Sequence, residues 1–310
     1  MLSIANTPRG GRLLRWWASS GAVAPATGAA GALAVGLLTA HTLDWSLALV
    51  VWLLIYASYQ IDSLGDLKNL DPARASRRSV YLLDCRRRVA ALGVAAFLGA
   101  MLLTALQAGG LMALSLLVFP LSVAFYGMPW LRKLSFGLIP FDCVKRIPFA
   151  KAFYTAFFWG LLGVFSVAYV VGAGAGAGLP VPAALFAFAL FALRGFINTA
   201  FCDLKDIEQD RAAGVVSLAV AFGREGLLRL LDVANLLTPV LLCAAVWFGG
   251  LPASALFLGL TVLYAEVMFS AARRQQMDME LLCNLVADAE WILWPVYVLI
   301  GAAVLSASGI

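Results

Sequence analysis

Charge is what this chain has least of. Asp, Glu, Lys and Arg make up 13% of its 310 residues, against 63% hydrophobic. A soluble domain carries about 25% charged residues, so that class is excluded and lipid must be the solvent. Short alternating strands are also missing, which excludes a β-barrel. There is a single histidine, His41, and the five cysteines (Cys85, Cys143, Cys202, Cys243 and Cys283) show neither CxxC nor zinc-ligand spacing. A net charge of +5 does not signal nucleic acid, because the basic residues sit in short connections between apolar runs, where membrane topology accounts for them. Arg9, Arg12 and Arg15 precede an apolar run without an obvious cleavage site, so that run reads as a first span rather than a signal peptide.

What is present is helix-length hydrophobicity, broken about every 20 residues, the length that crosses a bilayer at 1.5 Å per residue. Nine spans are predicted, near 21–41, 44–60, 89–108, 111–128, 147–172, 181–201, 228–249, 252–272 and 288–307. The fold class is therefore an all-α membrane protein, one domain over 1–310, with nine helices around a central cavity and a polar cap. All 22 Lys and Arg residues lie at one face of the membrane, before the first span or in and around the even-numbered connections. By the positive-inside rule the N-terminus and the long polar loops are cytoplasmic and the C-terminus is outside. The odd-numbered connections are short and almost uncharged, so any chemistry is expected at the cytoplasmic end.

Two acidic clusters mark that end. Ser58-Tyr-Gln-Ile-Asp62-Ser-Leu-Gly-Asp66 closes span two, and Asp203-Leu-Lys-Asp206-Ile-Glu-Gln-Asp210 closes span six. Spacings of three and four stack carboxylates on one helical face, where they repel unless a cation compensates them. Spans two and six run in the same direction, so the clusters can face each other across the cavity. Mg²⁺ takes oxygen ligands, usually one or two carboxylates together with substrate phosphates. Two facing pairs, Asp62/Asp66 and Asp206/Asp210, would suit a metal-bridged diphosphate, with Lys and Arg supplying further positive charge.

The stretch from Asp203 to Gly223 resembles the second motif of the UbiA-type intramembrane prenyltransferases, DxxDxxxDxxxG followed by Ser/Thr-Leu and a terminal Gly. The nine-span layout is similar to that family too, and Tyr126-Gly-Met-Pro-Trp-Leu-Arg132-Lys133 resembles its segment after span four. The first motif departs from the family's NxxxDxxxD, with Ser58 where Asn is expected, and Cys202 precedes Asp203 where Asn is frequent. The resemblance implies an enzyme that transfers a prenyl group from an isoprenyl diphosphate to an aromatic, quinone-precursor or lipid-like acceptor within the membrane. It implies Asp62, Asp66, Asp206 and Asp210 as Mg²⁺ ligands and Asp203 and Asp66 as the catalytic candidates, Asp203 either supporting the metal as a ligand or activating the acceptor.

Candidate diphosphate contacts are Lys145 and Lys151 at the start of span five, Asn198 and Arg194 in span six, and Ser58. Arg194, inside a span, must either meet the diphosphate or pair with a carboxylate. Glu266 reads as snorkelling to the interface, and Asp288 and Glu290 as charges suited to the N-terminus of span nine. Two other functions are compatible with the pattern: a terpene cyclase in which the substrate's own double bond captures the cation, and a transporter or lipid-binding relative using the carboxylates as a cation site. Transport would place ionisable residues near mid-bilayer and at both faces, whereas here they crowd one.

Overall fold

The computed structural model describes residues 23–67, 77–127, 129–173 and 179–308, and only the backbone of Asp66 and of residues 77–81. The polar residues 68–76 and the N-terminal arginines lie outside that description. Among the described residues there are helices and no strands. Nine helical segments among the described residues are long and apolar enough to cross a membrane: Val23–Ala40, Trp45–Gly65, Leu82–Ala108, Gly110–Gly127, Ala150–Ala173, Val181–Lys205, Leu218–Trp247, Ala253–Arg273 and Met279–Ala307. The chain is thus an integral membrane protein. Leu102, Leu106, Val240 and Val267 are exposed, as side chains turned to lipid are.

Several boundaries differ from the sequence reading, each for a local reason. The third helix begins at Arg77 rather than near 89, because Arg86–Arg88 are good helix formers although too polar to count as span. The fourth span is two helices, Gly110–Ser115 and Val118–Gly127. Pro120 lacks the N–H that would bond back to Leu116, so the ladder lapses there. Span seven starts at Leu218, capped by Ser217, and bends at Gly223, whose φ of 66° and ψ of 177° suit glycine alone. Span nine starts at Met279 and contains a π-helical turn, Leu282–Val286.

Spans five and six pack most closely, and glycine is the reason. A Cβ on Gly163 would lie 2.8 Å from the carbonyl oxygen of Ala187, and one on Gly195 would lie 2.8 Å from the Trp159 side chain. Small residues let helix backbones approach where lipid offers no hydrophobic drive. The two helices are antiparallel neighbours, so the start of span five meets the end of span six. At the opposite end of the bundle, Asp44 caps span two by accepting from the N–H groups of Ser46 and Leu47 at 3.1 and 2.9 Å. Ser46 Oγ and the Tyr169 hydroxyl both reach Gln107 Oε1, at 2.5 and 3.1 Å, tying spans two, three and five together.

The core divides by depth. One cluster, at the acidic end, joins spans six to nine through Ile197, Phe201, Leu228 and Phe269. A second, farther in, joins span one to spans five to nine around Phe191, Trp291 and Trp294. A third fills the first five spans around Leu47, Leu54 and Leu162.

Candidate functional site

The second acidic cluster is not one continuous helix. The helix of span six ends at Cys202, a 3₁₀ turn covers Asp203–Lys205, and a short helix runs Ile207–Ala212. The carboxylates nevertheless converge, because a 3₁₀ turn eclipses i and i+3 and the following α turn aligns i and i+4. Gly214, at φ 69°, ends the motif, and Val215 N–H donates to Asp210 O at 2.9 Å to fold the loop back.

The focus of convergence is Lys151. Its Nζ lies 2.8 Å from Asp203 Oδ1, 3.1 Å from Asp210 Oδ2 and 3.8 Å from Asp206 Oδ2. Two residues earlier, Phe149 N–H donates to Val216 O at 2.9 Å, pinning the start of span five onto the loop that follows the motif. That bond holds Phe149 at φ 64°, a conformation rare for a bulky residue. Asp203 and Asp210 are buried and Asp206 is partly open to solvent.

Burial holds the Asp206 carboxyl above its ordinary value, against the pull of Lys205 and Lys151 and with Asp210 adding to the rise; Lys145 pulls more weakly. Lys205 and Tyr59 are close enough to interact, which brings the ends of spans six and two within reach of each other. Asp62 lies half-buried on span two, and the side chain of Asp66 falls outside the description.

The chemistry of this donor set fits Mg²⁺. Carboxylate oxygens are its preferred ligands. Asp203 Oδ2 and Ser58 Oγ are buried without a hydrogen-bond partner, and buried polar atoms left so call for a ligand or water. Among the described residues no three acidic, His or Cys side chains are arranged to hold an ion by themselves; the ammonium of Lys151 sits at their focus. Removing it should expose the repulsion. Lys151→Met is expected to lower stability by about 3 kcal/mol in chelator and to recover part of that loss with Mg²⁺. Melting in detergent with and without the metal checks this, and equal melting of mutant and wild type in chelator would count against it.

The remaining candidates lie deeper. Asn198 Nδ2 donates to Asp288 Oδ1 at 3.3 Å, and Cys202 Sγ–H points to Asn198 Oδ1 at 3.7 Å. Arg194 is fully buried, with Nε on Glu290 Oε1 at 3.0 Å and Nη2 on Glu290 Oε2 at 2.5 Å. Its Nη1 donates to Asn235 Oδ1 at 2.6 Å and Thr238 Oγ1 at 3.2 Å, and Asn235 Nδ2 continues to Glu266 Oε1 at 2.9 Å. Asp288 and Glu290 therefore do not head span nine, since that span begins three turns earlier. Nor does Glu266 merely snorkel; it ends a polar chain linking spans six, seven, eight and nine. A reading of the sequence misses Asn235, Thr238, Asn284 and Thr27. The one signal is Asn235 in an apolar run, where an amide demands a partner. Lys205 Nζ donates to Asn284 Oδ1 at 2.5 Å, and Thr27 Oγ1 reaches Asp288 O at 3.4 Å.

With this geometry in view, residues 136–286 match the family model described as UbiA prenyltransferase family. In fold the chain resembles the apo structure of a UbiA homolog from Aeropyrum pernix K1, with a TM-score of 0.61, 21% identity, and coverage of 91% of this chain and 96% of that one. No curated protein matches it in sequence.

Proposed function

With this chain a UbiA-type protein in fold and, over residues 136–286, in sequence, we propose that it transfers a prenyl group from an isoprenyl diphosphate to a hydrophobic or aromatic acceptor. The observation that carries the reading is the convergence of Asp203, Asp206 and Asp210 on one partly buried cation, Lys151. Three carboxylates focused at the end of a membrane span form a site for positive charge, and a diphosphate brings the need for it.

Asp206 and Asp210, with Asp62 and Asp66 from span two, would hold Mg²⁺. The ion supplies neutralisation of the leaving diphosphate. Lys151 and Lys145 lie beside these carboxylates and would donate to diphosphate oxygens. Ser58, whose hydroxyl has no partner, and Asn198 would complete the polar lining. The bond from C1 of the donor to the diphosphate oxygen breaks, its electron pair leaving with the diphosphate. The acceptor's nucleophilic atom bonds to C1 and gives up a proton. Asp203, with one oxygen on Lys151 and the other unpartnered, is placed to take that proton. Arg194, its donors engaged by Glu290, Asn235 and Thr238, acts in positioning span six rather than on the diphosphate. The loops after spans two and six would exclude water, which would otherwise trap the allylic cation. In this reading the site and the N-terminus are cytoplasmic, the C-terminus is on the other side, and 1–310 form one domain.

Diphosphate release tests this. Purified protein in lipid discs should release diphosphate from farnesyl or geranylgeranyl diphosphate only with Mg²⁺ and an added acceptor. Release with no acceptor, together with a cyclic product, would replace transfer by cyclisation. No Mg²⁺-dependent release with any donor and a panel of acceptors would sink the enzyme reading.

A further inference from the structure

Below the carboxylates, four aromatic rings close the middle of the bundle. Trp159 of span five, Phe191 of span six, and Trp291 and Trp294 of span nine are mutually packed. Trp159 and Trp291 have centroids 4.9 Å apart, Phe191 and Trp291 5.2 Å, Phe191 and Trp294 5.4 Å, and Trp291 and Trp294, stacked, 4.2 Å. Each ring is seated on glycine or another ring. Trp159 lies over Gly195, and Phe191 over Gly163. Gly31 of span one meets both Phe191 and Trp291, so that a Cβ there would stand 3.1 Å from the first and 3.2 Å from the second. Four spans thus meet in one aromatic layer, and Phe191, Trp291 and Trp294 are almost wholly inaccessible to solvent.

From this layer we infer that the chain takes short donors, with three isoprene units, and that Trp159 and Trp291 set the limit. This deepens the prenyl-transfer reading and rests on it. Lys151 and Trp159 are eight residues apart on span five, and Asp203 and Phe191 twelve apart on span six, so the layer lies about 12–18 Å beneath the carboxylates. An extended isoprene unit, four carbons of chain with bonds of about 1.5 Å, covers about 5 Å. Three units reach the rings and a fourth meets them. On span six, Asn198 and Phe191 are seven residues apart on one face. Asp288 and Trp291 are likewise one turn apart on span nine.

Packing beyond the layer is apolar and leaves only a small gap. A small cavity is bounded by Val35, Leu38, Val167, Leu190, Phe191 and Trp294. Phe191 and Trp294 form part of its wall and belong to the aromatic layer as well. Shortening Trp159 or Trp291 to leucine would itself remove ring volume at the layer and make room there for further carbons of the tail.

The test uses the full chain in lipid discs with Mg²⁺ and the non-reactive thiolo analogues of geranyl, farnesyl and geranylgeranyl diphosphate, so that no acceptor is needed. Binding should tighten about tenfold or more from geranyl to farnesyl and gain nothing at geranylgeranyl. In Trp159→Leu and Trp291→Leu the gain should continue to geranylgeranyl by about another tenfold. Trp159 is only half-buried, so its variant keeps the test open if the deeper one does not fold. Affinity that climbs through geranylgeranyl in the wild type, or variants whose profile matches it, overturns the inference while leaving prenyl transfer standing. No Mg²⁺-dependent binding of any analogue overturns the prenyl-transfer reading itself.

Discussion

Asp206→Asn is expected to lower Mg²⁺-dependent diphosphate release by about a thousandfold while leaving the protein folded. The amide keeps the shape of the carboxylate and removes its charge, which is the property a metal or a lysine responds to. Asp206 is the most solvent-open member of the cluster, at 32% side-chain exposure, and sits 3.8 Å from Lys151 where Asp203 and Asp210 are in direct contact. Its loss therefore disturbs the resting ion pairs least. The melting temperature should be nearly unchanged, and a mutant that retains wild-type release would remove Asp206 from the site. The same carboxyl gives a pH dependence. Burial raises its pKa, so the folded protein holds that proton more tightly than the unfolded chain does. The cost of burying the charge is present near neutrality and is relieved as pH falls through the raised value. Release needs the carboxylate, and Mg²⁺ competes with the proton for it, so release should also fall on acidification, at a higher pH when Mg²⁺ is scarce. Activity and this part of stability thus move in opposite directions on acidification. In Asp206→Asn the contribution should vanish from both profiles.

The largest effect on stability should come from Arg194→Met. It leaves Glu290 buried in the middle of a span with its guanidinium partner gone, and breaking a buried ion pair from one side costs about 3–5 kcal/mol. It also removes a donor from Asn235 Oδ1. The double variant Arg194→Met with Glu290→Met should recover most of that loss, since two apolar side chains of similar volume leave no charge uncompensated. A double-mutant cycle of melting in lipid or detergent reads the coupling. The double variant separates two roles for the arginine as well. If Arg194 positions span six, the folded double variant binds a prenyl diphosphate analogue within a few-fold of wild type. A large loss of binding without loss of stability would return Arg194 to the diphosphate.

Much of the fold was legible because a bilayer imposes a length and a composition on every helix. Nine apolar runs, and basic residues gathered in and around alternate connections, were enough for the span count. Boundaries were less legible, because polarity marks the edge of lipid while helices continue past it, as Arg77–Arg88 and Leu218–Gly226 do. The acidic spacing indicated convergence but gave the wrong local geometry: a turn at Asp203–Lys205, rather than a straight face, brings the carboxylates together. Lys151 could be named from its place at the head of span five. That it would be shared by three carboxylates could not, since the contact depends on Phe149 being tied to Val216 across the chain. The Arg194 network was hidden for the same reason. Glu266 and Glu290 carry no periodic signature, and only the packing of spans six to nine shows that Glu290 pairs with Arg194 and that Glu266 joins them through Asn235.

The knot of Ser46, Gln107 and Tyr169 lies at the end of the bundle opposite the carboxylates. It cross-links three spans with hydrogen bonds, beside a capped helix start at Asp44 and tight connections at His41 and Gly109. Helices fastened at one end and held at the other by ion pairs behave as levers with a fixed fulcrum. A small tilt at the knot becomes a displacement several times larger near Asp203. Of the two ends of these three spans, the polar one is the freer to separate.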